Sequence, residues 1–162
     1  MSAFPPELAR AFAKMAQHYL ASGNSRPEDH QAVAYASRVS IEQSLKSALE
    51  KSGYTKKEIR THSHNLGDLL RELGNNCTVA EQLNSDAPQP LSASRLRSKT
   101  IHWGGAQVTL GNVIDSDETS KFPGEYRYGR PPTDYPAEVL AIAAQDVADW
   151  VARYWNSLAR RE

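Results

Sequence analysis

The sequence predicts a mainly all-α protein: an antiparallel four-helix up-and-down bundle with a β-hairpin inserted before the last helix. Three observations lead there. Four stretches place apolar residues three or four positions apart, the repeat that gives a helix one apolar face. Proline, glycine and asparagine punctuate the ends of those stretches, where helices start and stop. One stretch between the third and fourth, "TIHWGGAQVTL", alternates with period two around Gly104-Gly105, the pattern of a hairpin over residues 100–110.

The first helix opens at Pro5 and Pro6, whose missing N–H groups would be orphaned in a first turn anyway. Leu8, Phe12, Met15, Ala16 and Tyr19 form its expected apolar face, and Gly23 stops it. The second runs from Glu28 to Lys51, with acids in its first turn and a seam of Ala34, Ile41, Leu45, Ala48 and Leu49. Glu42 and Lys46 lie one turn apart in the favourable order and read as a helix-supporting pair, an effect of a few tenths of a kcal/mol. The third begins at Asn65, a capping residue with Asp68 three positions on. It buries Leu66, Leu69, Leu70 and Leu73 and stops at Gly74. The last starts near Asp134 and Pro136 and carries its stripe through Leu140, Ala143, Val147, Trp150, Val151 and Tyr154 to Leu158.

Length and charge bound the function. A chain of 162 residues suggests one domain with a real core. Nineteen basic residues balance nineteen acidic ones, so a nucleic-acid partner would be met by a local patch rather than a global field. The single cysteine, Cys77, forms no internal disulfide and suits a reducing compartment; it reads as a polar-loop residue with no nucleophile motif around it. The start, "MSAFPPELAR", lacks the build of a signal peptide, and the longest apolar run, Val139 to Ala144, falls far short of the ~20 residues that span a bilayer. A cytoplasmic protein without a membrane partner is the expectation.

Three places carry candidate chemistry. "IRTHSHNLGDLLREL" holds His62 and His64 beside the third helix. Without a Cys or an HExxH context they are no metal pair, and neither a metal nor another cofactor is expected. A neutral imidazole there can move protons, or His64 simply packs the helix start. "RSKTIH" separates Arg97 and His102 by four residues, a guanidinium for a phosphate and an imidazole for a proton. On a strand, however, an offset of five sends the two to opposite faces. "EYRYGRPPTDY" sets Arg127 and Arg130 among Tyr126, Tyr128 and Tyr135 before a helix N-terminus, a platform for phosphate and stacked base. Nearby basic residues, Lys51, Lys56, Lys57, Arg60 and Arg71, with Arg95, Arg97 and Lys99, would extend it if the fold gathers them.

The stretches "SIEQSLKSALEKSG", "HNLGDLLREL" and "EYRYGRP" resemble, in that order, the Glu-x-x-x-Lys segment, the His-Asp-Leu helix start and the Arg-Tyr-Pro segment of the HEPN superfamily of helical-bundle domains. The likeness covers residues 7–75 and 123–158 and makes the whole chain one HEPN-like domain, with residues 76–122 as an insertion. The resemblance implies a prokaryotic toxin–antitoxin or defence setting and a homodimer. It also implies one of two trades. Many members are metal-independent ribonucleases with an Arg-x(4–6)-His motif; others bind nucleotides or partner a nucleotidyltransferase. No histidine follows Arg127, and Gly129 stands where such members carry proline. The leading expectation is therefore a non-catalytic nucleotide- or RNA-binding or partner-docking module, using Arg127, Tyr128 and Arg130. The alternatives are a ribonuclease using Arg97 with His102, or His64 with Arg127, and a purely structural self-association domain anchored on Trp103.

Overall fold

The computed structural model describes residues 2–22, 27–80, 89–90, 96–103, 105–115 and 135–161. They form a mainly helical protein with two small antiparallel sheets. In chain order the elements are α1 (Pro6–Ala21), α2 (Pro27–Lys51), α3 (Lys56–Arg60), α4 (Leu66–Asn76), β1 (Cys77–Val79), β2 (Gln89–Pro90), β3 (Thr100–Trp103), β4 (Ala106–Thr109), α5 (Leu110–Asp115), α6 (Ala137–Tyr154) and β5 (Ala159–Arg160). One sheet has the order β2-β1-β5; the other is the hairpin β3-β4, with Trp103 opposite Ala106. Among the described residues no helix is long and apolar enough to cross a membrane.

Helix α1 keeps only part of its expected face. Ala16 is buried and Phe12 packs against the core as expected, but Leu8, Met15 and Tyr19 are 41%, 45% and 38% exposed, and Ala9 and Ala13 are buried in their place. The small alanines bring its backbone close enough to α2 for Ser40 to donate to the Ala9 carbonyl at 2.7 Å. A face of large side chains would hold the helices further apart. The seam of α2 is buried as expected, Ala34, Ile41, Leu45, Ala48 and Leu49 all lying in the core. Gly53, at φ +110°, then turns the chain through a conformation that a side chain would strain.

Helix α3 comes as an addition to the expected elements. Its start is a capping box, in which Glu58 N donates to Thr55 Oγ1 at 3.2 Å and Thr55 N donates to the Glu58 carboxylate at 2.7 Å. Asn65 caps α4, its Oδ1 accepting from Asp68 N at 3.1 Å. The helix runs two residues past Gly74, which is buried, to Asn76. Cys77 then lies in a strand rather than a polar loop, fully buried, and burial pushes its thiol above the ordinary range.

The stretch between α4 and α6 helps to build the core: Val79, Leu96, Ile101, Leu110, Val113 and Ile114 join the same apolar cluster as α2, α4 and α6. Gly111 permits this, because a β-carbon there would meet the Arg97 carbonyl at 3.0 Å. The indole of Trp103 packs against the core and donates to Glu138 at 3.2 Å, so its ring is engaged within the monomer. Helix α6 ends at Tyr154, earlier than the apolar repeat suggests. A 3-10 turn follows, and the chain leaves it extended at Leu158 to pair with β1. Leu158 still reaches the core, which is why the helical spacing carries through it.

Candidate functional site

The fourth turn of α2 begins a row of charge that runs inside the protein. Arg38, Glu42 and Lys46 sit four residues apart, spanning ~12 Å of helix. All three are buried, at 2%, 5% and 6% exposure. Arg38 Nη1 donates to Glu42 Oε1 at 3.0 Å, and Lys46 Nζ donates to Oε2 at 3.2 Å. Phe4, from the segment before α1, lays its ring 5.5 Å from Lys46 Nζ. That segment is held in place by Ser47 Oγ, which donates to the Phe4 carbonyl, and by Glu50, which accepts from Ala3 N and Phe4 N.

His64 completes the cluster. Its Nδ1 lies 3.1 Å from both Glu42 oxygens, and its carbonyl accepts from Arg38 Nη2 at 2.5 Å. The turn between α3 and α4 makes this double contact available. Ser63 adopts the left-handed conformation at φ 51°, which is sparsely populated for residues other than glycine and costs on the order of 1–3 kcal/mol. An ionised carboxylate only accepts, so Nδ1 carries the hydrogen and Nε2 is left with its lone pair when the ring is neutral. The His64 side chain is half exposed while its Glu42 partner is 7% exposed, so the dyad opens to solvent on the histidine side.

Electrostatics distinguishes this cluster from an ordinary ion pair. Burial pushes Glu42 upward, but Lys46, the His64 hydrogen bond and Arg38 together outweigh it and hold the carboxyl below its usual 4.5. Glu42 is therefore ionised at neutral pH. Two cations, Arg38 and Lys46, contact that one carboxylate. Taking ions out of water costs several kcal/mol each unless they are compensated. Lys56, Lys57 and Arg60 of α3 are exposed.

The other expected residues are placed as follows. Arg97 donates its guanidinium to Asp115 on α5. His102 is exposed on β3, opposite Gln107, and with Lys99 faces Asp146 of α6, whose carboxyl burial raises. The structure thus aims Arg97 and His102 at different carboxylates. Arg127, Tyr128 and Arg130 lie outside the described residues; Tyr135 is half-buried against the core. Among the described residues no cluster of His, Cys, Asp and Glu could hold a metal ion. Sequence reasoning passed over Arg38 and read Glu42 with Lys46 as a helix-supporting pair. The signal was present: the row Arg38, Glu42, Lys46 runs beside the apolar seam of Ile41, Leu45 and Leu49, with two cations for one acid. Comparison with protein-family models, curated proteins and solved structures gives no match to this chain.

Proposed function

We propose that this chain is a HEPN-like module, an antiparallel four-helix bundle with an inserted hairpin, that binds the phosphate of a nucleotide or RNA at the Arg38–Glu42–Lys46–His64 cluster. The observation that supports this most is the half-exposed His64 ring held by a buried carboxylate that Arg38 and Lys46 flank. A phosphate bound at the rim meets His64 Nε2, and the buried cations behind it act in a low-dielectric interior where their charge is poorly screened. Arg127, Tyr128 and Arg130 supply a second phosphate contact and a stacking face in this proposal. A cytoplasmic homodimer and a nucleotidyltransferase-type partner in a toxin–antitoxin or defence setting complete the reading.

A second reading is favoured by one observation, the orientation of His64 by Glu42. In a metal-independent endoribonuclease, Nε2 would take the proton of a ribose 2′-hydroxyl. The 2′-oxygen would then attack phosphorus, and the 5′-oxygen would leave with a proton. Incubating the protein with a mixed RNA pool in the absence of metal separates the two readings. The binding reading expects RNA to be shifted but intact, with the shift weakened in His64→Ala and Arg127→Ala and kept in His102→Ala. Cleavage that disappears in His64→Ala would replace it with the ribonuclease. Neither shift nor cleavage in any lane would remove both.

A further inference from the structure

At the end of the molecule where α2 and α6 both finish, three basic side chains each lie over an aromatic ring. Lys51 Nζ is 5.9 Å from the centre of the Trp155 ring, Arg153 Cζ is 5.2 Å from that of Tyr154, and Arg160 Cζ is 3.9 Å from that of Tyr54. Such pairs occur roughly once per 70–80 residues, so three drawn from residues 51–54 and 153–160 are a concentration. Trp150 adds a fourth ring, 5.0 Å from Tyr154 and tilted at 48°.

The cations differ in what holds them. Arg160 is paired with Glu58 at 3.0 Å, yet 43% of its side chain stays exposed, so one face of the guanidinium covers Tyr54 and the rest meets solvent. Lys51 and Arg153 are exposed, and neither is ion-paired among the described residues. Arg161 sits beside them, its guanidinium donating to the Asn75 carbonyl at 3.2 Å. Of the acids nearby, Glu58 is taken by Arg160, and Glu72 accepts from the Tyr54 hydroxyl at 2.7 Å. Among the described residues Lys51, Arg153, Arg160 and Arg161 outnumber Glu58, Glu72 and the exposed Asp149 of α6, and they are interleaved with the half-buried rings of Tyr154 and Trp155.

We propose that this end is a contact surface for single-stranded nucleic acid, with bases stacking on Trp155 and Tyr154 and phosphates meeting Lys51, Arg153, Arg160 and Arg161. Both halves of that ligand's chemistry are matched. Every base has a π-face that stacks on an aromatic ring or a guanidinium plane, and the backbone between bases carries the charge the cations lack. Lys51 lies five residues beyond Lys46, the nearest member of the Arg38–His64 cluster on α2, ~8 Å along the helix axis. The surface shares no residue with that cluster. It extends the proposed function from one phosphate to a strand, but it rests on its own residues.

The test is fluorescence anisotropy with a labelled oligouridine of about 12 nucleotides, within the span one such platform accommodates. Binding is followed across a salt series for the wild type, Lys51→Gln/Arg153→Gln and Trp155→Leu. The double variant is expected to weaken binding at least about tenfold and to flatten the slope of log K against log salt by about 1.4, or about 0.7 for each phosphate no longer neutralised. Trp155→Leu is expected to weaken it at least about fivefold with the slope unchanged. If Trp155→Leu is destabilised, the double variant, which changes only exposed side chains, carries the test. Uridine monophosphate binding to the same variants should be unchanged, so a failure of this surface is distinct from a failure of the His64 cluster. Oligouridine binding equal to wild type in the double variant would overturn the proposal. So would no binding by the wild type, or wild-type affinity for inorganic polyphosphate as high as for oligouridine.

Discussion

Arg38–Glu42 and Arg160–Glu58 are two arginine–glutamate pairs with the same separation, 3.0 Å, in opposite surroundings. Glu58 sits at the surface, where the Thr55 amide, Arg160 and the Thr55 hydroxyl hold its carboxyl down to about 2. Each of those partners is local or exposed, and water would solvate either ion without the other. Glu42 is inside, where burial alone would drive it toward the neutral acid, and it stays ionised because Lys46, His64 and Arg38 all converge on it. Distance, then, does not rank ion pairs. The outer pair is one fastening among several on the C-terminal strand, which also has the bond from Arg160 N to the Ser52 carbonyl at 2.9 Å. The inner one is a cluster whose members depend on one another.

Removing one carboxylate from each region should separate them most. Glu42→Gln leaves Arg38 and Lys46 buried against a neutral amide, and urea unfolding should show a loss of about 3–5 kcal/mol. Glu58→Gln should move the same midpoint far less. Lowering the pH should reproduce the contrast. Glu42 is depressed in the folded state, so its contribution is complete above the unfolded value of 4.5 and is lost as pH falls through the lower folded value. Stability measured downward from pH 4.5 should therefore fall more steeply in the wild type than in Glu42→Gln. Glu58 titrates in the same direction, down to about 2, with its effect blunted by solvent.

Smaller effects should come from the outer region alone. Thr55→Ala removes the hydroxyl half of the capping box on α3, leaving the backbone N–H of residue 55 to donate to Glu58, and should reduce stability by ~1 kcal/mol in thermal melts. Arg160→Ala should cost least of all, because the pair is solvated and the strand keeps its backbone bonds. A larger loss for Arg160 than for Glu42 would reverse that ranking.

Local signals were the legible ones. Asn65-x-x-Asp68 is resolved within four residues, and the Trp103–Ala106 pairing follows from period-two spacing around a glycine pair. Thr55-x-x-Glu58 is equally local but was passed over, because the five residues of α3 are too few to show an apolar repeat. The inner cluster needs an element from elsewhere in the chain: helical spacing aligns Arg38, Glu42 and Lys46, but only tertiary packing brings His64 and Phe4 onto them. The same limit explains α1. Leu8, Met15 and Tyr19 look like the core by hydrophobicity, yet Ala9 and Ala13 take their place because they permit close approach and a serine bond to the helix backbone. The C-terminal strand was hidden for a third reason, since Leu158 keeps the helical repeat while the backbone has already left the helix.

In the proposed function the buried cations beside Glu42 serve a phosphate at the rim. Lys46→Met tests this, because methionine keeps the volume and the packing against Phe4 while removing the charge. Uridine monophosphate would be titrated into wild type and variant by calorimetry, at a temperature where unfolding shows both to be folded. The expected result is an affinity reduced by about tenfold or more, beside the stability lost when Glu42 gives up a buried partner. Unchanged affinity in the folded variant would contradict the proposal, and would make Lys46 a structural partner of Glu42 only.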